Sequence, residues 1–326
     1  MAYRNLDEFL TRLEQSGKAV RKPISALIPY FSDVCGSENN VTIFEDPANS
    51  LSFVSNLFGT RERIEQGLRV VSLDLIADRL GAMLDLGTPS SFGSLVGQAM
   101  SLFTALRTTT SKRAPQDYRS LSAHEWASQF SSAARAGRPA SLLAALMTSR
   151  HMASAVVDVS GEAMLIESAS ALTAGDRIAI VFGGDPAFIL ATLTPLPDLV
   201  HRSYFASWLR ERPIETMRLA DIDVDLPSNA EAVVSGTVSD VVRGNSIRLL
   251  DPMSHKLTIA VESAWVMPNA ILPVWSERDR YTVLEGLFIV FKPLLRRMLP
   301  GLSDEQIRKI VSGTASEYNA LLKGQY

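Results

Sequence analysis

The first apolar pattern in the chain has the spacing of a helix. Asn5 is placed to cap a helix over residues 5–16 that ends at Gly17, and its apolar face consists of Leu6, Phe9, Leu10 and Leu13. Alternating positions and turn-forming residues then predict strands over 41–44 and 51–54, and helices over 60–69 and 73–86. Helices interleaved with strands in this way predict an N-terminal α/β domain.

Short strands become the main pattern in the middle of the chain. Ser160-Gly161 separates two apolar runs, which predicts a hairpin over residues 155–166, and the apolar run at 177–182 is typical of a buried strand. Further strands are predicted near residues 216–224, 231–241, 245–250 and 256–263. So many short strands favour a small barrel or a sandwich in the middle of the chain.

The segment Gly183-Gly184-Asp185-Pro186 leads from the buried strand into a predicted helix. Asp185 is placed to cap this helix, and Pro186 occupies its first position. Backbone N–H groups at such a turn can bind phosphate. The glycine spacing is not that of a dinucleotide-binding loop, however, and no Lys-Ser/Thr pair follows as in a Walker loop. We therefore interpret the segment as a structural turn.

Two helices, over residues 281–298 and 303–322, are predicted to close the chain. The first is more apolar than one buried face requires, so we expect part of it to be exposed and to bind a second copy or a larger partner. Its apolar residues include Leu284, Leu287, Phe288, Val290, Phe291, Leu294 and Leu295. The predicted α+β fold comprises an N-terminal α/β domain over 1–110, a divergent helical connector over 111–150, a β-barrel-like domain over 151–275 and C-terminal helices over 276–326.

Composition excludes several classes of protein. The 326 residues carry 32 Lys and Arg against 35 Asp and Glu, and this lack of a basic excess argues against nucleic acid as a partner. The single cysteine, Cys35, excludes a disulfide framework and any Cys-rich metal site. No apolar run reaches the roughly 18 residues of a membrane span. We expect a soluble, cytoplasmic protein.

Candidate chemistry is sparse. The four histidines do not stand at metal-ligand spacing from one another or from Cys or carboxylate residues; they are His124, His151, His201 and His255. Scattered carboxylates are present, but nothing in their spacing selects a pair for acid–base work. The residues by themselves therefore indicate no self-sufficient active site.

Several segments, in order, resemble one known family. They are Tyr3-Arg4-Asn5-Leu6-Asp7-Glu8-Phe9-Leu10, Ser55-Asn56-Leu57-Phe58-Gly59-Thr60-Arg61-Glu62-Arg63-Ile64, Ile180-Val181-Phe182-Gly183-Gly184-Asp185-Pro186-Ala187, Leu226-Pro227-Ser228-Asn229-Ala230-Glu231-Ala232-Val233-Val234 and Pro293-Leu294-Leu295-Arg296-Arg297-Met298-Leu299-Pro300. Together they are similar to the UbiD family of prenylated-flavin-dependent, reversible decarboxylases. The resemblance implies a split β-barrel domain between the N-terminal domain and the closing helices.

The family's site residues are mostly replaced. The resemblance places Ala153 where the family has an essential Arg, Leu165 where it has a His, and Arg202 where it has a metal-binding Glu. A cation at that last position would repel a divalent ion, so we expect no metal site. Glu231 matches a family carboxylate and is the candidate catalytic residue, while Ser235 stands at the next carboxylate position. A shifted alignment that would bring Arg150 to the Arg position stays open.

Three hypotheses follow from a retained scaffold with altered ligands. The first is an accessory or regulatory subunit of a UbiD-type (de)carboxylase system that has lost the prenylated-FMN and metal site. The second is an active carboxy-lyase with an altered or shared site, and the third is a small-molecule-binding module that uses the old flavin cleft. We expect no cofactor, or prenylated FMN if the family's site survives. The expected partner is a second copy or a UbiD-type subunit.

The most specific expectation for the site concerns the environment of Glu231. A buried carboxylate without its Arg would be costly, so either Glu231 is exposed or another cation has replaced the Arg. Arg202 is the candidate for that cation.

Overall fold

Two sheets, one mixed and one antiparallel, organise the protein. The computed structural model describes residues 3–23, 39–45, 51–83, 117–129, 153–158, 173–192, 199–210, 215–219, 222–239, 246–250, 256–274 and 276–312. None of the helices in these ranges combines the length and hydropathy that a membrane span requires.

The elements are numbered in chain order. The first are α1 (Leu6–Gln15), β1 (Ala19–Pro23), β2 (Val41–Glu45), β3 (Leu51–Ser55), α2 (Arg61–Leu68), α3 (Leu73–Met83), β4 (Arg119–Ser122) and α4 (Ala123–Gln129). The middle of the chain forms β5 (Ala153–Asp158), β6 (Arg177–Phe182), α5 (Pro186–Thr192), α6 (Leu199–Arg210), β7 (Thr216–Leu219), β8 (Ile222–Pro227) and β9 (Ala232–Val238). The last are β10 (Ser246–Leu250), β11 (Lys256–Val266), β12 (Ala270–Val274), α7 (Glu277–Met298) and α8 (Asp304–Ser312).

The mixed sheet has the strand order β1-β2-β3-β12. Strands β2 and β3 are antiparallel, whereas β1 pairs with β2 and β12 pairs with β3 in parallel. Ala270 stands opposite Leu51, so a strand from late in the chain completes a sheet that begins near its start. Helix α1 has the predicted cap, because the Asn5 side chain accepts from the Glu8 N–H, and its predicted apolar face is buried.

The antiparallel sheet has the order β10-β11-β9-β6-β5, with β4 also paired to β11. The predicted strands are confirmed, except that the segment predicted as one strand near 216–224 is the hairpin β7–β8. Within the described residues this sheet is open rather than a closed barrel, since β10 and β5 end its path. The α+β class is confirmed. The second strand of the predicted 155–166 hairpin lies outside the described residues.

Helix α7 is covered by its own chain, which contradicts the expectation of an exposed apolar face. It packs against α2 and α3 on one side and against α8 on another, so apolar residues on several sides are buried. The buried set is Leu287, Phe288, Val290, Phe291, Leu294 and Leu295, while Leu284 is half-buried. Because α7 packs against α2, α3 and α8, it needs apolar residues on more than one face. This is the physical reason why α7 is more apolar than one buried face requires.

The segment most similar to the UbiD family forms a structural junction. Asn56 has φ +60°, and its side-chain amide donates to the Asn40 carbonyl at 3.0 Å. A Cβ on Gly59 would lie 1.8 Å from Asn56 Oδ1, so only glycine allows this approach. The Phe58 N–H donates to Asp279 Oδ1 at 2.6 Å, and Asp279 also forms the capping box of α7 with Ser276. The segment therefore ties the start of α2 to the start of α7.

We predict that Gly59→Ala destabilises the protein by roughly 1–3 kcal/mol, the usual range for forcing extra atoms into a packed site. Gly81→Ala is the matched control, because its added Cβ meets nothing within 4 Å and it lies inside α3. There the helix propensity of Ala should add about 0.5–1 kcal/mol. Urea unfolding of both variants checks the prediction, and equal midpoints would contradict it.

Candidate functional site

Glu231 lies in the turn over residues 228–231, which joins β8 to β9. Its backbone N–H donates to the Phe182 carbonyl at 2.8 Å, and its carbonyl accepts from the Met267 N–H at 2.9 Å. Phe182 ends β6 and Met267 follows β11, so the turn is fixed at the ends of two strands of the antiparallel sheet. This placement sends the Glu231 side chain toward the mixed sheet.

The Glu231 carboxyl bridges the two sheets. Oε2 accepts from the Ile271 N–H in β12 at 3.1 Å, and the residue is only 7% exposed. Burial raises the pKa of Glu231 to about 8; the hydrogen bond from Ile271 opposes this shift and the nearby Asp7 adds to it. The carboxyl is therefore mostly protonated at neutral pH. Of the two alternatives for Glu231, exposure to solvent or a replacement cation, the first is wrong.

Gly183 makes room for Glu231. It has φ +71°, and a Cβ built on it would lie 2.3 Å from Glu231 Cγ. The loop between β6 and α5 therefore lies directly against the glutamate side chain. The sequence predicts that these two glycines belong to a structural turn. No local sequence pattern indicates that Gly183 also makes room for the Glu231 side chain.

Tyr118 is hydrogen-bonded to the backbone of the same turn. Its hydroxyl donates to the carbonyls of Ser228 at 3.1 Å and Ala230 at 2.6 Å. Burial, and then the nearby Glu231, raise the pKa of Tyr118, so the hydroxyl stays a donor. Sequence reasoning did not identify this residue, because its partners are backbone atoms more than 100 positions away.

Asp185 occupies the N-terminus of α5, as predicted from the sequence. Oδ1 accepts from the N–H groups of Ala187 at 3.0 Å and Phe188 at 3.2 Å. Oδ2 faces Arg210 Nη1 at 3.0 Å and accepts from Asn229 Nδ2 at 2.6 Å. Burial raises the pKa of Asp185, and Arg210 is the largest opposing influence. The turn is thus filled by its own carboxylate, which supports the structural interpretation over a phosphate site.

The replaced family positions lie near Glu231 in the sheet. Ala153 pairs with Phe182, whose carbonyl accepts from the Glu231 N–H, so Ala153 lies one strand beyond β6 from the glutamate. Two strand spacings are about 10 Å, within reach of an Arg side chain but not of Ala. The Ser235 hydroxyl is hydrogen-bonded to the Ser263 hydroxyl at 2.8 Å. At the position where the resemblance predicts the second family carboxylate, this chain therefore has the Ser235 hydroxyl.

Other predicted positions fall beyond what the structure describes. Arg202 belongs to α6, but its side chain is outside the described part, so its pairing with Glu231 stays a prediction. Leu165 and Arg150 lie outside the described residues. Among the residues that are described, no cation forms an ion pair with Glu231.

The described part of the chain offers no donor set for the metal that the family resemblance implies. Among the described residues, no three of His, Cys, Asp and Glu converge as a metal ion requires. The resemblance predicts Arg202 at the position of the family's metal-binding Glu, and the described partner of the Glu231 carboxyl is the Ile271 N–H. Glu231 can hold a proton and join the two sheets, and neither of these functions involves binding a metal ion.

Comparison with known proteins shows which proteins this geometry resembles. Residues 139–273 match the sequence model of one protein family, UbiD, described as the 3-octaprenyl-4-hydroxybenzoate carboxy-lyase Rift-related domain. That span contains Glu231, Asp185 and Arg210 and most of the antiparallel sheet.

Solved structures of the UbiD-class enzyme HmfF and of two decarboxylases share the fold. An evolved dimeric form of HmfF from Pelotomaculum thermopropionicum, in complex with prFMN, is 16% identical with a TM-score of 0.55, over 90% of this chain and 72% of that one. A 3,4-dihydroxybenzoic acid decarboxylase from Enterobacter cloacae is 11% identical with a TM-score of 0.59, over 92% and 71%. A vanillic acid decarboxylase from Sedimentibacter hydroxybenzoicus is 13% identical with a TM-score of 0.58, over 92% and 70%. The UbiD resemblance predicted from the sequence is confirmed.

We predict that Arg210→Met destabilises the protein by about 3–5 kcal/mol, because it leaves the buried Asp185 without its cation. Adding Asp185→Asn to that variant should recover much of the loss, since the uncompensated charge disappears. The control Arg308→Met removes a solvent-exposed partner of Glu285 and should change the urea midpoint little. Additive effects of the two buried substitutions would contradict the pairing.

Proposed function

We propose that this chain, which carries a UbiD-type Rift-related domain on the fold of the UbiD-class decarboxylases, is a non-catalytic accessory or regulatory subunit of a UbiD-type (de)carboxylase system. The observation that supports this proposal is the environment of Glu231. The one candidate catalytic carboxyl is closed between two sheets, with a backbone N–H as its partner.

Acid catalysis requires a side chain within hydrogen-bond reach of the substrate. Glu231 is instead covered by Gly183 at its Cγ and bonded to Ile271 at its Oε2. The position across the sheet that would hold a substrate-orienting Arg is Ala153. A residue in this setting stabilises the junction of the sheets, and we assign it that role.

Assembly with another UbiD-type chain is the second part of the proposal. The similar structures include a dimeric HmfF and a vanillic acid decarboxylase named as a complex, ShVdcCD, with a separate component ShVdcD. We propose that the partner here is a UbiD-type catalytic subunit or a second copy of this chain. The accessory chain itself would need neither metal nor flavin.

An active carboxy-lyase is the second candidate, and the burial of the Glu231 carboxyl favours it. A carboxyl with a pKa of about 8 stays protonated at neutral pH, which is the state that a general acid needs. In that case Glu231 would deliver its proton in a site completed by another chain, after movement of the segment that covers it.

We predict that the purified chain neither binds FMN or prFMN nor releases CO₂ from 3,4-dihydroxybenzoic or vanillic acid. Flavin absorbance after gel filtration and CO₂ release measure the two properties, with wild type and Glu231→Gln side by side. Both proteins should be equally inactive. Stoichiometric flavin together with CO₂ release that Glu231→Gln abolishes would support the second candidate and overturn the first.

An accessory role also predicts a physical complex. Mixed with a UbiD-type catalytic subunit, the chain should co-elute at the summed mass in size-exclusion chromatography with light scattering, and should change the catalytic rate of that subunit. Glu231→Gln should do the same as wild type, because the substitution is internal to the fold. Separate elution from such subunits, with an unchanged rate, would contradict the accessory role.

A further inference from the structure

The two sheets share a hydrogen bond whose acceptor can be ionised. Among the described strands, β12 is the last in the order of the mixed sheet, so no other described strand pairs with its outer edge in that sheet. Glu231 Oε2, from the antiparallel sheet, accepts from the Ile271 N–H at that edge. An edge amide buried without an acceptor is costly, so the carboxyl completes the mixed sheet.

The surroundings of this carboxyl favour its neutral form. Asp7 of α1 is the charged group whose field acts on Glu231, and its charge is negative. The Tyr118 hydroxyl donates to the Ser228 and Ala230 carbonyls rather than to the carboxyl. Beyond the turn, Arg210 of α6 is paired with Asp185.

Arg4 lies near this junction, since its carbonyl accepts from Asn229 Nδ2 at 3.5 Å. The Arg4 side chain, next to α1, is 80% exposed and pairs with Glu8. Arg202, on α6, has a side chain beyond the described part, and among the described groups no cation balances an ionised Glu231. One N–H cannot satisfy a buried carboxylate, so ionisation has to bring in water.

We propose that the Glu231 carboxyl is a proton-dependent latch between the two sheets: protonated, it closes their junction at Ile271, and ionised, it opens that junction to water. The latch is a property of this interface, and it operates whether or not the chain is catalytic.

Linkage sets the direction and the size of the effect. The pKa of Glu231 is about 8 in the closed state and returns toward 4.5 when the junction is hydrated. Opening therefore releases a proton, and between these two values the opening constant rises about tenfold per pH unit. The stability from the latch is complete below the lower pKa, falls as pH rises and is lost above the higher one.

Hydrogen exchange at the Ile271 amide measures this opening directly. We expect its protection factor, corrected for the intrinsic exchange rate, to fall about tenfold per pH unit between roughly pH 5.5 and pH 7.5 and to level off above about pH 8. In Glu231→Gln the side chain accepts the same hydrogen bond without titrating, so the protection factor should not change with pH.

Glu262→Gln is the matched control, since it makes the same substitution at an exposed carboxylate on β11 of the same sheet. It should reproduce the wild-type dependence. A wild-type protection factor that is flat across this range, or an equal slope in Glu231→Gln, would overturn the latch. If Glu231→Gln does not fold, the pH dependence of the Ile271 protection factor in the wild type is by itself the test of the latch. Neither readout depends on activity, so failure of the latch leaves the proposed function untouched.

Discussion

The rest of the structure depends on the contacts of one short turn, residues 228–231. Its backbone is hydrogen-bonded to the end of β6 and to the residue after β11. The Glu231 side chain accepts a hydrogen bond from β12, and the Tyr118 hydroxyl donates to a carbonyl of the turn. Asn229, in the same turn, donates to Asp185 at the start of α5. The turn therefore joins the antiparallel sheet, the mixed sheet and the helices that pack on them.

Two buried carboxyls near this turn show how partners decide the function of a side chain. Asp185 has a guanidinium, an amide and two backbone N–H groups around its oxygens, as a buried charge requires. Glu231 has one backbone N–H and an acidic neighbour. Similar burial thus makes Asp185 part of a fixed ion pair and leaves Glu231 as a protonated acid whose ionisation strains the junction.

The segments that resemble the UbiD family have structural functions in this chain. The run from Asn56 to Arg63 links α2 to α7, the Gly183 turn accommodates Glu231, and Asp185 caps α5. Each function depends on backbone approach or capping, which a fold must keep even where the chemistry of a site changes. A shared fold is therefore compatible with a changed site.

Local signals determined much of the fold from the sequence alone. The Asn5 cap, the apolar face of α1, the Asp185 cap and most strands of the antiparallel sheet follow from period and capping, which act over a few residues. Only the tertiary structure decided that β12 completes the mixed sheet, that α8 and α3 cover α7, and that Glu231 is buried against Ile271. Those contacts join residues far apart in the chain, and their energies depend on packing and desolvation that no local pattern encodes.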